Sequence, residues 1–162
     1  QSAVDYMSLH QHDINAMPLW TYFQSVLRWA MDTFNMKKFK KIMKGLDWAK
    51  FYDEYHEKVL DIKEMEKQII DLIGDDEIQK QQGIIPYVLT GDEHYLDLRA
   101  FPDKIKLAVW EKQNHKCAIC GKEFDYQFME GDHITPWREG GRTEVKNCQM
   151  LCRECNRRKG SK

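Results

Sequence analysis

The chain has 162 residues, a formal net charge of −1 and 42% hydrophobic residues, enough to bury one mid-sized core or a helical unit plus a small metal-stapled one. No apolar run approaches the ~20 residues of a membrane span, and residues 1–18 lack the basic head and apolar core of a secretory leader, so a soluble, cytoplasmic protein is expected. Five cysteines with no even disulfide framework fit a reducing compartment, and a start on Gln1 is expected of the later part of a longer protein.

Residues 1–18 read as a polar arm in which His10 and His12 have no metal role. Residues 17–73 read as helical throughout. Trp20, Phe23, Val26, Leu27, Ala30, Met31 and Phe34 recur at three- and four-residue steps and predict one broad apolar helix face. A second helix over 36–44 stops at Gly45. Asp47 caps a third, with Trp48, Phe51, Tyr52, Tyr55 and Val59 in register; its His56 is an ordinary structural or surface histidine. A fourth carries Ile62, Met65, Ile69 and Ile73 before Gly74, and the four together predict a bundle. Residues 75–82 read as a short helix and a turn. Around the Gly91-Asp92 turn, residues 84–89 and 95–98 are short apolar pieces that pattern alone leaves open between helix and strand. Pro102 and Asp103 open a helix to about Asn114.

That helix leads into two C-x-x-C pairs, Cys117/Cys120 and Cys152/Cys155. One such pair is a weak signal. Two pairs bracketing one segment supply four thiolates to one tetrahedral ion, which predicts a structural zinc site, the alternative being buried, unligated thiols. The gap between the pairs exceeds the roughly 15 to 20 residues of a zinc ribbon, so a functional insert is expected between them. Cys148 reads as a core residue of a strand, and His115 as a bystander beside the first pair.

Within the insert and just beyond it, Asp132-His133-Ile134 with Pro136, the Gly140-Gly141 turn, Thr143, Asn147 and Leu151-Cys152-x-x-Cys155-Asn156-x-x-Lys159 resemble the HNH endonucleases of the His-Me finger (ββα-metal) superfamily. The resemblance covers about the last third of the chain. It implies a first strand over 128–133 carrying the Asp-His pair, a loop with Asn147, a second strand over 149–151 and a helix starting near Arg153. It also implies cleavage that leaves 5′-phosphate and 3′-hydroxyl ends. Asn156 stands where the family name has its final His, a departure that bears on metal preference.

Phosphodiester hydrolysis needs a base for water, a cation for the charge developing on phosphate and leaving oxygen, and donors that hold the phosphate. His133 is the natural base, because imidazole titrates near neutral pH. Neighbours on a strand point to opposite faces, so Asp132 is assigned to the metal with Asn156, and His133 to the water. A carboxylate and an amide oxygen favour Mg²⁺ or Mn²⁺ over a second zinc. Asn147 is assigned the backbone near His133, as a positioning residue. Charge is unevenly divided: 12 Lys and Arg against 17 Asp and Glu before Phe101, then 13 against 9. Arg157, Arg158 and Lys159 near the chain end, with Arg138 and Arg142 in the loop, are the expected phosphate contacts. Trp137 either stacks on a base or sugar or packs internally.

The lead-in Tyr95-Leu96-x-Leu98-Arg99-Ala100-Phe101, behind an aromatic helical region, is similar to the C-terminal part of bacterial proteins that join a ParB-like nucleotide-hydrolysing domain to an HNH nuclease, the GmrSD-like restriction and phage-defence group. This implies a further N-terminal domain as partner, and a connector or homodimerisation role for the helices. The expected fold is α+β and mostly α: a helical domain over 1–100, then a small zinc-stapled ββα-metal (HNH) domain over 101–162. The expected function is DNA cleavage. The alternatives are a catalytically weak zinc-stapled DNA-binding module and a helical protein-interaction module that carries a nuclease.

Overall fold

The computed structural model describes residues 8–160; residues 1–7 of the N-terminal arm, and Lys162 of the basic end, lie outside them. The fold is α+β with helix predominating. Two compact units divide the chain: Gln1–Gly74 with Lys80–Leu96, and Asp75–Gln79 with Asp97–Lys162. Among the described residues, no helix is long and apolar enough to cross a membrane.

The first unit consists of helices that start where side-chain acceptors meet the orphan amides of a first turn. α1 (Met17–Thr33) has Pro18 in its first turn. α2 (Met36–Met43), α3 (Trp48–Tyr55) and α4 (Ile62–Ile73) are capped by Asn35, Asp47 and Asp61, whose side chains accept from the amides of Lys38, Lys50 and Glu64. α5 (Ile84–Thr90) ends at Gly91, whose φ of 75° is the left-handed stop. The core holds Ile69, Ile84, Ile85 and Leu96, all at most 1% exposed. Trp29, Phe34, Trp48 and Tyr52 add edge and tilted ring contacts. The broad apolar face expected of α1 is divided: Val26 and Ala30 are buried, whereas Trp20, Phe23, Leu27 and Met31 are 41–57% exposed. The neighbouring helices cover less of the helix than its apolar arc.

The second unit is built on a two-stranded antiparallel sheet. β1 (Met129–His133) pairs with β2 (Cys148–Cys152) in the register Asp132↔Gln149 and His133↔Cys148. α6 (Asp103–Lys112) precedes the sheet, and α7 (Arg153–Gly160) follows β2 directly. Met150 and Leu151 are fully buried, in a core with Phe101, Val109, Met129 and four of the cysteines. Gln113 ties the end of α6 to β2: its amide nitrogen donates to Met150 O at 3.0 Å and its oxygen accepts from Met150 N at 2.8 Å.

Residues 75–82, expected to form a short helix and a turn, open as a turn that leads to an isolated bridge, Ile78↔Leu98, and run into a 3-10 helix over Gln81–Gly83. The Asp75 carboxylate accepts from the Glu77 amide, a local turn that competes with helix. Arg99 N then donates to Glu77 O and Gln79 N to Asp97 O. Asp75–Gln79 thereby belongs to the same compact unit as the sheet, and so do residues 97–100.

Candidate active site and cysteine cluster

The first C-x-x-C lies in a tight loop after α6. Gly121 takes a φ of 69° and donates its amide to Cys117 O, and Lys116 bridges to Glu123. The second pair spans a junction: Cys152 ends β2 and Cys155 sits in the first turn of α7. The sulfurs of Cys117, Cys120, Cys152 and Cys155 all lie within 4.8 Å of one another. Tetrahedral Zn–S bonds of about 2.3 Å put sulfurs roughly 3.8 Å apart, so the cluster fits one zinc ion. Burial pushes the Cys117 thiol up, but hydrogen bonds from the Cys120, Cys152 and Ile119 backbone outweigh that and bring it down to about 6. Cys152 beside it is pushed up to about 11, by burial first and by Cys155 and Cys117, so without an ion the pair shares charge unequally and favours one thiolate, on Cys117. Arg158 donates to Cys155 Sγ at 3.3 Å and offsets charge on the sulfurs. Cys148 is outside the cluster, 5% exposed, with its thiol pushed up to about 11 by burial. His115 is also outside, its ring stacked on Trp110 at 3.8 Å.

β1 separates the two residues of the Asp-His pair. Met129, Gly131 and His133 alternate to one face, Glu130 and Asp132 to the other. A Cβ on Gly131 would come within 2.8 Å of Lys106 of α6 and 3.6 Å of Phe101, which identifies the His133 side as the α6 side. There the imidazole lies against the Phe101 ring, centroids 4.3 Å apart, and its Nε2 is 3.1 Å from Thr143 Oγ1. Burial pushes the His133 pKa below its ordinary value, with Lys159 adding to the fall and the Asp132 and Glu77 charges opposing it. The direction of that shift favours the neutral ring, the form a general base would need.

On the other face Asp132 accepts from Gln149 at 2.8 Å and from the Lys159 ammonium at 2.5 Å, and Lys159 also donates to His133 O. Asn156 does not share these contacts; its Nδ2 donates to Glu130 Oε2 at 2.6 Å. The ligating atoms available on this side of β1 are oxygens, the donor type of a hard divalent cation, and the Lys159 ammonium on Asp132 would have to give way to such an ion. With Nδ2 committed to Glu130, Oδ1 is the Asn156 atom left to serve as a ligand.

The loop from β1 to β2 is fixed by Asn147, 8% exposed. Its Oδ1 accepts from Thr135 N at 2.8 Å, and Nδ2 donates to Thr135 O and Arg142 O. Ile134 N donates to Asn147 O, so the clamp closes immediately after His133. Two residues that sequence reasoning missed complete the loop's anchorage. Asp75 accepts from Trp137 Nε1 at 3.0 Å and from Arg142 at 2.5 Å, so Trp137 is held by an internal partner. Burial raises the Asp75 carboxyl, but the bonds from Glu77 N, Arg142 and Trp137 outweigh it and hold the pKa below the ordinary value. Glu77, 6% exposed, accepts from Thr143 N at 3.1 Å and from Thr143 Oγ1. An acidic run after Gly74 gives no sign of either role, because the burial of Glu77 exists only once 75–79 pairs with 97–99. Of the basic residues, Arg142, Arg158 and Lys159 have the partners named above, and Arg138 and Arg157 are exposed.

No curated protein and no solved structure matches the chain. Residues 117–162 match the family model described as HNH endonuclease, and with the strand, loop, strand and helix in this order around a four-cysteine cluster, the chain carries an HNH endonuclease domain over that stretch.

Proposed function

We propose that the protein is a metal-dependent endonuclease that hydrolyses DNA phosphodiesters, with zinc as a structural staple. The observation that carries this reading is His133: an imidazole with one nitrogen against Thr143 Oγ1 and its pKa held down by burial, at the end of a strand whose opposite face presents Asp132. His133 takes the proton of the attacking water. Asp132 and Asn156 hold a Mg²⁺ or Mn²⁺ ion, with Glu130 aligning the Asn156 amide. That ion would supply charge stabilisation at the phosphate and the leaving oxygen. Asn147 keeps the loop that aims the ring, and Arg138, Arg142, Arg157, Arg158 and Lys159 steer and hold phosphates. One such site cuts one strand, so a double-strand break requires a homodimer or two successive nicks.

The test is nicking of supercoiled plasmid by wild type and His133→Ala in EDTA, Mg²⁺ and Mn²⁺, with zinc content measured on both. Wild type cuts only with added metal, and the variant keeps its zinc while cutting falls by about 10²-fold or more. Binding without cutting by zinc-loaded wild type would favour the second reading, a DNA-binding module. The contact of Asn156 with Glu130 instead of Asp132 is the observation on that side. A role as effector in a bacterial restriction or phage-defence system, alongside a nucleotide-hydrolysing domain, rests on the 95–101 resemblance. Loss of phage protection on His133→Ala in expressing cells checks it.

A further inference from the structure

Thr143 Oγ1 has three oxygen or nitrogen neighbours: the Glu77 carboxylate, Arg99 O at 3.1 Å and His133 Nε2 at 3.1 Å. A hydroxyl has one proton to give. A carboxylate accepts more strongly than a backbone carbonyl or an imidazole nitrogen, so the proton goes to Glu77 and the hydroxyl oxygen faces Nε2 as an acceptor. His133 Nε2 must then be the protonated nitrogen, which leaves Nδ1 with the lone pair. Glu77 secures this direction twice, since it also accepts from Thr143 N at 3.1 Å and so fixes the threonine backbone. With Phe101 against the ring face, the imidazole is fixed in tautomer, tilt and reach.

We infer that Glu77 and Thr143 form a carboxylate–hydroxyl–imidazole chain that sets the Nε2–H tautomer of His133 and presents Nδ1 as the base, making Glu77 a positioning residue supplied from outside the matched HNH segment. The inference rests on the nuclease reading for its purpose, but its geometry is independent of it. Glu77 precedes the matched stretch 117–162 and enters the site through the pairing of 75–79 with 97–99. An exposure of only 6%, with both carboxylate oxygens on one threonine, sets Glu77 apart from the solvated acids usual on a protein surface.

The test uses the zinc-loaded full chain. ¹⁵N NMR of the histidine side chains above neutral pH, with His133 assigned by loss of its signals in His133→Gln, reads the tautomer directly. Expected is a protonated Nε2 and a lone-pair Nδ1 in wild type and in Thr143→Ser. Thr143→Val and Glu77→Gln lose that preference, because valine removes the acceptor and the glutamine amide reverses the hydroxyl's direction. Both lose about 10- to 100-fold in plasmid nicking, the usual effect of removing an orienting partner, and Thr143→Ser retains the rate. Zinc content and melting temperature, measured on each variant, separate positioning from folding; if Thr143→Val melts, Glu77→Gln and the wild-type tautomer still decide. A wild-type His133 protonated on Nδ1, or a folded Thr143→Val that cuts at the wild-type rate, overturns the inference while leaving the nuclease reading standing. Wild type that never cuts but shows Nε2–H overturns the nuclease reading and upholds the geometry.

Discussion

The two glycines of the Gly140-Gly141 turn do different work, and alanine at each gives different results. Gly140 has a φ of 86° with nothing within 4 Å of a Cβ, so Gly140→Ala costs only the left-handed backbone, about 1–2 kcal/mol. Gly141 is limited by space. A Cβ there would lie 1.8 Å from Thr135 O, 2.7 Å from Thr135 C and 2.8 Å from Asn147 Nδ2. The obstacle is mostly backbone, so relief requires Thr135 to move by well over 1 Å, and it is Thr135 that Asn147 grips through both its amide and its carbonyl. Overpacking costs about 1–3 kcal/mol, and weakening two hydrogen bonds adds roughly 0.5–1.5 kcal/mol each. Gly141→Ala is therefore expected to lose about 2–6 kcal/mol, a large part of a typical 5–15 kcal/mol domain stability. Thr135 is two residues from His133, and misplacing a catalytic group by 1 Å costs about 10²-fold, so plasmid nicking falls by that order while Gly140→Ala stays near wild type. Urea titration and nicking of the two variants side by side are the assays. Equal stability of the two, or a Gly141→Ala protein that cuts normally, would refute the claim that the turn is packed against Thr135 and that Asn147 transmits the strain.

Three further outcomes follow from the same geometry. Stripping zinc with a strong chelator, or Cys152→Ser, unfolds the second unit by circular dichroism, because structural zinc supplies about 10–16 kcal/mol at pH 7, as much as a small domain's whole stability. Nicking, measured against pH at saturating metal, has its acid limb below 6.5: burial holds the folded His133 pKa below that value, so the base is neutral above it and is lost as pH falls through the lower folded pKa. Asp75→Ala releases Trp137 and Arg142 and costs about 1.5–3 kcal/mol, discounted because Arg142 is 47% exposed. The Asp75 pKa is lowered on folding, so its contribution is present above the ordinary carboxylate value of 3.8 and lost as pH falls through the folded one; urea midpoints for both proteins at neutral and acid pH measure it.

Features set by local chemistry were readable from the chain. Asn35, Asp47 and Asp61 each accept an amide three residues on, and a cap needs only its own turn. The cysteine pairs were legible because ligand spacing is a covalent constraint. What could not be read depends on which distant segments meet. The Ile78↔Leu98 bridge is a single pairing with no alternation to announce it, so Asp75 and Glu77 read only as part of a short helix and a turn. Lys159 was legible as a cation near phosphate, but its contact with Asp132 depends on where α7 lies against β1. On α1 the apolar period was correct, yet periodicity does not say how much of the arc other helices cover; Trp20 and Phe23 remain exposed.

A two-stranded sheet is marginal in water, and here its strands are joined by a long loop instead of a tight turn. Its stability must come from its ends. At one end β2 runs into α7, where Cys152 and Cys155 meet Cys117 and Cys120, so a metal bound by the four would tie strand, helix and the preceding loop at one point. At the other end the connecting loop is held by Asn147 from within and by Asp75 and Glu77 from an earlier segment. His133, the last residue of β1, lies at this second end. Its partner Thr143 is on the loop and Phe101 is on the lead-in to α6, so the ring is positioned by three stretches of chain that only the folded unit brings together. The cysteine cluster and the acidic clamp are therefore expected to act on different things: loss of a bound zinc would cost the fold, whereas loss of the clamp would leave a folded sheet with the imidazole no longer held in place.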